Sequence, residues 1–225
     1  MNPLTPSAEN SFSAIGGKHA GLFLMLAFLI PFAWLCVLRP PCMGGGEISN
    51  DAYYHMAMAG MGPSVFCAKK FPWLELSVWR DTFADKELLY HFALWGIVRA
   101  QEFLGLSTDA PFHLPALIFM GITILAFIYT MKRLGVSPPL ILAMSILMPL
   151  SIPNFTFRFL MLRPHVLSLA FLLLLIAMLS RGSLRSRSLW TLGISFFYTW
   201  SYSNPQFILI PAAVFALVGF RDDSW

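Results

Sequence analysis

Charge is the scarcest ingredient of this 225-residue chain: Asp, Glu, Lys and Arg make up 12% of it, against 57% hydrophobic residues. An ordinary soluble domain carries about 25% charged residues, so the chain lacks the polar surface to cover a water-soluble globule of its size. Cysteine is nearly absent too. Cys36 lies inside an apolar run, and Cys42 and Cys67 are too few to frame a disulfide-stapled domain. They would be able to pair if their segment faced an oxidising compartment; two free thiols are the alternative. No Walker loop, GxGxxG, HExxH or paired CxxC occurs, which removes the common soluble-enzyme chemistries. The net charge of +4 is scattered, with no basic stripe interleaved with aromatics, so nucleic acid is not an expected partner. No internal repeat is visible, and Gly44-Gly45-Gly46 is a joint too short to cradle a phosphate by itself.

Apolar length is what the chain has in excess. A helix needs about 20 apolar residues to cross the hydrocarbon of a bilayer. Residues 20–38 are such a run, broken only by Pro31, after a polar leader (1–19) containing Lys18. The run is too long for a signal-peptide core and no small-x-small cleavage site follows, so it reads as a signal anchor. Residues 112–131 form a second span, and 139–153, 164–180, 190–203 and 206–220 complete the set. The expected fold is all-α: a polytopic transmembrane bundle of about six spans over 20–220, with a short tail at 221–225.

Loop charge orients such a bundle. Lys132 and Arg133, then Arg181, Arg185 and Arg187, are expected on the cytoplasmic side, together with the N-terminus and Arg221. The long segment 39–111, which carries Glu47, Asp51, Glu75, Asp81, Asp85, Glu87, Glu102 and Asp109, then faces away from the cytoplasm. Arg158 and Arg163 fall on that same outer side, against the insertion bias, which marks them as residues with a task. Residues 88–106 resemble a span at first sight. Inserting them would reverse every later loop, and they contain His91, Arg99, Gln101 and Glu102; a charge at the bilayer centre costs about 2.5–3.5 kcal/mol on insertion scales. An interfacial helix is the better reading, with Thr82 and Asp85 as a capping-box start and Leu88, Phe92, Trp95 and Val98 as the stripe facing lipid. A true span with its charges turned to other helices is the alternative. Trp73, Trp79 and Trp95 read as interface anchors, and His91 and His113 as structural.

One constellation carries chemistry. Asp51 and His55 are four residues apart in Ser49-Asn50-Asp51-Ala52-Tyr53-Tyr54-His55, so a helix puts both on one face, and an N-terminal Asp suits the helix dipole. The pair could share a Mg²⁺ or Mn²⁺ ion with a phosphate-bearing ligand. Equally, Asp51 could simply cap an amphipathic helix whose tyrosines sit at the headgroups.

The segment Asp51-Ala52-Tyr53-Tyr54-His55 resembles the D-x-Y-Y-H motif that follows the first span in the GT-C superfamily of polytopic glycosyltransferases, above all in oligosaccharyltransferase catalytic subunits. Phe71-Pro72 with Asp81, Leu114-Pro115-Ala116 before the second span and Thr199-Trp200 near the end of the fifth are similar to weaker family features, and the likeness runs over about 20–220. The resemblance implies a polyprenyl-phosphate or polyprenyl-diphosphate sugar donor on the extracytoplasmic face. It makes Asp51 the essential acid, either holding a divalent cation with His55 or acting as general base. It places Arg163, Arg158 and His165 as donor-phosphate contacts, where a guanidinium grips phosphate oxygens in pairs; snorkelling to lipid headgroups is the other role open to the arginines. Two departures stand out. The second acidic motif expected before span four is missing from the sequence between Arg158 and His165, and family members continue with further spans and a soluble domain. The chain therefore reads as such an enzyme or its N-terminal half, with a non-catalytic subunit that binds lipid-linked sugar or scaffolds a membrane partner as the alternative. A transporter fits less well, because the spans keep their charges at their ends.

Overall fold

The computed structural model describes residues 6–43, 47–68, 70, 81, 83–106, 112–151 and 153–221. Among them the regular structure is entirely helical: α1 (Pro6–Met43), α2 (Asn50–Met61), α3 (Leu88–Phe103), α4 (His113–Arg133), α5 (Pro138–Ser151), α6 (Pro153–Leu160), α7 (Pro164–Leu179), α8 (Leu184–Thr199) and α9 (Leu209–Arg221), with 3₁₀ turns at Gly62–Cys67 and Pro205–Ile208. Two stretches are long and apolar enough to cross a membrane, His19–Met43 within α1 and His113–Arg133, which is α4. Residues 138–150 and 153–160 pass the same test as a pair, bent by 88°. Leu22, Met25, Leu29, Trp34, Val37, Leu189, Leu192 and Phe196 are exposed, so these helices present apolar side chains outward. Among the described residues the chain is all-helical, with two helices, or three if the bent pair is one span, long and apolar enough to cross a membrane.

Several sequence boundaries shift for physical reasons. Residues 1–5 lie outside the described part, and the rest of the expected leader belongs to α1, opened by Pro6 at a position where its missing N–H costs nothing. At the other end α1 runs past residue 38 to Met43 through Pro40 and Pro41, because Arg39 finds buried partners there. Helix α7 keeps the expected bounds to within a residue, whereas α8 covers 184–199 instead of 190–203; at 16 residues each they rise only about 24 Å, short of the roughly 30 Å of hydrocarbon. Cys36, Cys42 and Cys67 are free thiols.

Helix α3 turns one face to the rest of the protein. Its buried face is Tyr90, His91, Leu94 and Gln101, turned toward the protein, while Leu88, Phe92, Trp95 and Val98 are half-buried. Trp95 lies against Gly62, where φ is +54° and an added Cβ would meet the indole nitrogen at 2.9 Å. A glycine is required there on both counts. Asp85 receives the Glu87 N–H at 3.0 Å at the start of the helix; Thr82, with Trp73, Trp79, Phe71 and Pro72, lies outside the described residues.

The most extensively packed pair is α4 with α7. Small side chains (Ala116, Ala126, Ala170, Ala177) let the backbones approach. Thr123 then donates at once to the Phe119 carbonyl of its own helix (2.8 Å) and to the Val166 carbonyl of α7 (2.9 Å). One heptad on, Thr130 repeats the arrangement with Ala126 (2.7 Å) and Leu173 (2.8 Å). Arg133 closes the pair by donating to the Arg181 carbonyl at 3.0 Å. In lipid such hydroxyls act as interhelical glue worth about 0.6 kcal/mol on average. Thr123→Val and Thr130→Val are each expected to lower the unfolding free energy in bicelles by about 0.6 kcal/mol, up to about 1.7, with helix content retained; denaturant titration followed by circular dichroism measures it.

Candidate functional site

The site is assembled at one pole of the bundle, where α1 and α6 end and α4 and α7 begin. Its foundation is a fully buried ion pair. Arg39 Nη2 donates to Glu47 Oε2 at 2.8 Å, with side-chain exposures of 1% and 0%. The same guanidinium donates through Nε to the Leu160 carbonyl (3.1 Å) and through Nη1 to His113 Nδ1. Glu47 Oε2 also accepts the Leu162 N–H at 3.1 Å. One residue pair thus joins the end of α1, the start of α4, the lead into α2 and the turn after α6. Charges this far from water persist only when paired and hydrogen-bonded.

That junction aims the next residues. Arg163 is extended (φ −139°, ψ 151°), as expected before a proline, and Pro164 opens α7. Arg163 Nε donates to Ser49 Oγ at 2.9 Å and Nη2 pairs with Asp51 Oδ2 at 2.9 Å. Asp51 sits in the first turn of α2, where the helix dipole favours its charge. Beside this pair opens a cleft of about 350 Å³ lined by Asp51, His55, Glu87, Arg158, Arg163 and His165, with Tyr202, Ser203 and Asn204 as its far wall. His165 Nε2 donates to the Arg158 carbonyl at 3.0 Å, bracing the turn that carries both arginines. The far wall is brought in by the Leu89 N–H, which donates to the Trp200 carbonyl at 2.9 Å and ties α3 to the end of α8.

Behind the cleft lies a second, drier group. His91 Nδ1 donates to Asp85 Oδ2 at 2.6 Å. His91 Nε2 and His55 Nδ1 share a hydrogen bond of 2.9 Å, and Glu87 Oε2 stands 3.6 Å from His55 Nδ1. Tyr90 packs edge-on against His55, with ring centres 5.1 Å apart. Burial, reinforced by the His91 and Arg163 charges, pushes the His55 pKa down to about 3, which keeps the ring neutral. Burial also raises the Glu87 carboxyl, against a lowering by its hydrogen bond to Ser203, and it raises the Tyr54 hydroxyl, helped by the Asp85 and Glu87 charges.

All five side chains singled out from the sequence, Asp51, His55, Arg158, Arg163 and His165, line one cleft. The tentative metal pair, however, divides. Asp51 is 61% exposed and engaged by Arg163, whereas His55 is buried among Glu87 and His91. A Mg²⁺ or Mn²⁺ ion wants several oxygen ligands, and Asp51 offers one carboxylate already held by a guanidinium; the residues around it do not fit such an ion. Glu87, His91, Asp85 and Ser203 escaped the sequence reading as site residues. The signal for two of them was present, a Glu and a His four apart at the head of α3, but it was absorbed into that helix's hydropathy pattern.

The buried junction carries a direct expectation. Arg39→Leu strands Glu47 in the interior, and breaking a buried pair costs about 3–5 kcal/mol. Arg39→Leu should therefore unfold at markedly lower denaturant, and the double variant Arg39→Leu with Glu47→Leu should recover most of the loss, as read by equilibrium unfolding of the two in the same detergent.

Compared with protein-family models, with curated proteins and with solved structures, the chain matches none of them.

Proposed function

We propose that this chain is a GT-C-type glycosyltransferase, or the membrane half of one, transferring a sugar from a polyprenyl-phosphate or polyprenyl-diphosphate donor at an extracytoplasmic cleft. The observation that carries this reading is the Asp51–Arg163 pair at 2.9 Å on the rim of a cleft that also holds Arg158 and His165. A phosphate ester leaving group needs cationic donors placed where its charge develops, and an acceptor needs a carboxylate to take its proton. Both stand side by side here, at the level where lipid headgroups meet water.

The chemistry runs through the chain's own residues. Donor phosphate oxygens enter against Arg163 and Arg158, and the incoming anion draws the Arg163 guanidinium from Asp51. An exposed pair of this kind is worth only about 0–1 kcal/mol, so the exchange costs little. The freed Asp51 carboxylate accepts the proton of the acceptor nucleophile as that nucleophile bonds to the sugar's anomeric carbon. The bond from that carbon to the phosphate oxygen breaks, and the lipid phosphate leaves with the electron pair, held by the arginines. Residues 39–111 form the large extracytoplasmic region in this reading, carrying α2 and α3. About six passes bring the chain across, with the N-terminus and the Arg133–Arg181 pole in the cytoplasm; the short α7, α8 and α9 are accommodated by local thinning of the bilayer.

A second reading has a specific observation behind it. Asp51 is already neutralised by Arg163, and no acid stands between Arg158 and His165, so the cleft would also suit a subunit that binds lipid-linked sugar without turning it over.

Asp51→Ala is expected to insert normally, to bind the donor and to lose sugar transfer by roughly 10²–10⁴-fold, the range of a general base; Arg163→Gln is expected to lose donor binding. Full transfer activity in Asp51→Ala would sink the catalytic assignment, and donor binding without turnover by the unaltered chain would select the second reading. Orientation is checked separately: the exposed Cys67 should react with a membrane-impermeant maleimide from the extracytoplasmic side, and protection there would reverse the topology.

A further inference from the structure

We propose that His55, Glu87 and His91 form a binding site for a single divalent transition-metal ion, with Zn²⁺ the ion that the donor set fits. Each offers one ligand atom, all three atoms lie within 4.8 Å of one another, and all three residues are buried. The site shares His55 with the cation position implied by the family resemblance but takes Glu87 and His91 in place of Asp51, and it does not depend on the glycosyl-transfer reading.

The donor chemistry is specific. Two imidazoles and one carboxylate are borderline ligands that suit Zn²⁺ and its first-row neighbours and not Mg²⁺ or Ca²⁺, which take oxygen. Zn–N and Zn–O bonds of about 2.0–2.2 Å put adjacent ligand atoms of a tetrahedron roughly 3.4 Å apart. The 2.9 Å between His55 Nδ1 and His91 Nε2 and the 3.6 Å between His55 Nδ1 and Glu87 Oε2 bracket that spacing. Small side-chain shifts suffice to admit an ion.

The surroundings supply the second, independent observation. A metal-bound histidine commonly donates its other ring N–H to a carboxylate, which fixes its tautomer and orientation. His91 does this to Asp85 at 2.6 Å, leaving Nε2 with its lone pair toward His55 and Glu87. Glu87 meanwhile is a buried carboxylate with which neither lysine nor arginine closes an ion pair among the described residues. A divalent ion supplies the charge that such a group lacks. Three protein ligands leave a fourth position open, the pattern of a catalytic rather than a purely structural zinc. His55 and Glu87 both line the cleft, so an ion held by them would border it.

The test needs no turnover. The full chain, purified in detergent and stripped with a chelator, is titrated with Zn²⁺ in competition with a chromogenic chelator, and separately with Co²⁺ as a spectroscopic probe. One saturable equivalent is expected, with the visible ligand-field bands of four-coordinate Co²⁺. Asp85→Asn should weaken Zn²⁺ binding by roughly 10–100-fold, the usual effect of losing a ligand's carboxylate partner, and His91→Ala and Glu87→Gln should weaken it further. Asp51→Ala should leave it unchanged, so loss of sugar transfer in that variant and loss of metal in the others are separate outcomes. Absence of Co²⁺ bands in the unaltered chain would overturn the assignment without recourse to any variant, and so would undiminished binding in a folded His91→Ala or Glu87→Gln chain. In either case Asp85, His91 and His55 form only a hydrogen-bonded brace between α2 and α3.

Discussion

The architecture of the cleft rests on burying one guanidinium. Arg39 follows the apolar run 20–38 of α1 and is 1% exposed, where an unpaired charge would be prohibitive. It is tolerable because three directions of its planar head are each met: a carboxylate, a backbone carbonyl and an imidazole. A lysine at this position would offer a point charge instead of a fork and would not reach Glu47, Leu160 and His113 in one plane. The consequence is geometric. Once Glu47 and residues 160–162 are locked together, Ser49, Asp51 and Arg163 have little choice but to meet, although they are 114 positions apart along the chain in the case of Ser49 and Arg163.

The bundle uses the opposite strategy over most of its length. Between the poles, Thr123 and Thr130 each turn a hydroxyl to a carbonyl of α7, and many large apolar residues of the helices also face outward. Lipid supplies no hydrophobic drive for helices to associate, so close contact and shared carbonyls must do it. Threonines one heptad apart on α4 make that seam regular. Rigid packing along the seam fixes where α7 starts, and so where Arg163 is delivered. Stability of the membrane core and geometry of the polar pole are therefore one problem, linked through the first turn of α7.

Much of this was legible in the sequence, for reasons that differ between the parts. Long apolar runs announce helices whatever they pack against, which is why α1 and α4 could be read directly. Asp51, His55, Arg158, Arg163 and His165 were legible because charges placed against the insertion bias, or in a motif, stand out from a greasy background. Arg39 did not stand out: a cation at the end of an apolar run is the ordinary snorkelling pattern, and its burial depends on Glu47 and His113, which arrive from elsewhere in the chain. The same limitation hid His91 and Glu87. Their spacing fits a helix face, but the hydropathy of α3 pointed that helix at lipid, and only packing against α2 and Gly62 turns the His91 face inward. The bounds of α8 moved by several residues, Leu184–Thr199 against the expected 190–203, because Ser183 caps its start ahead of the apolar run.

The two polar groups at the pole differ in a way that bears on what each can do. Asp51 and Arg163 are partly open to water, with exposures of 61% and 32%, and a pair in that setting contributes about 0–1 kcal/mol. Such a contact can be exchanged for a ligand's phosphate without disturbing the fold. His55, Glu87 and His91 are buried and held by Asp85 and by aromatic neighbours, so rearranging them would expose or strand several groups at once. A mobile, solvent-screened pair suits capture and release; a fixed, desolvated triad suits holding something permanently. On that contrast in burial, the exchange proposed for the cleft falls to Asp51 and Arg163, and the proposed metal site to the buried layer behind them.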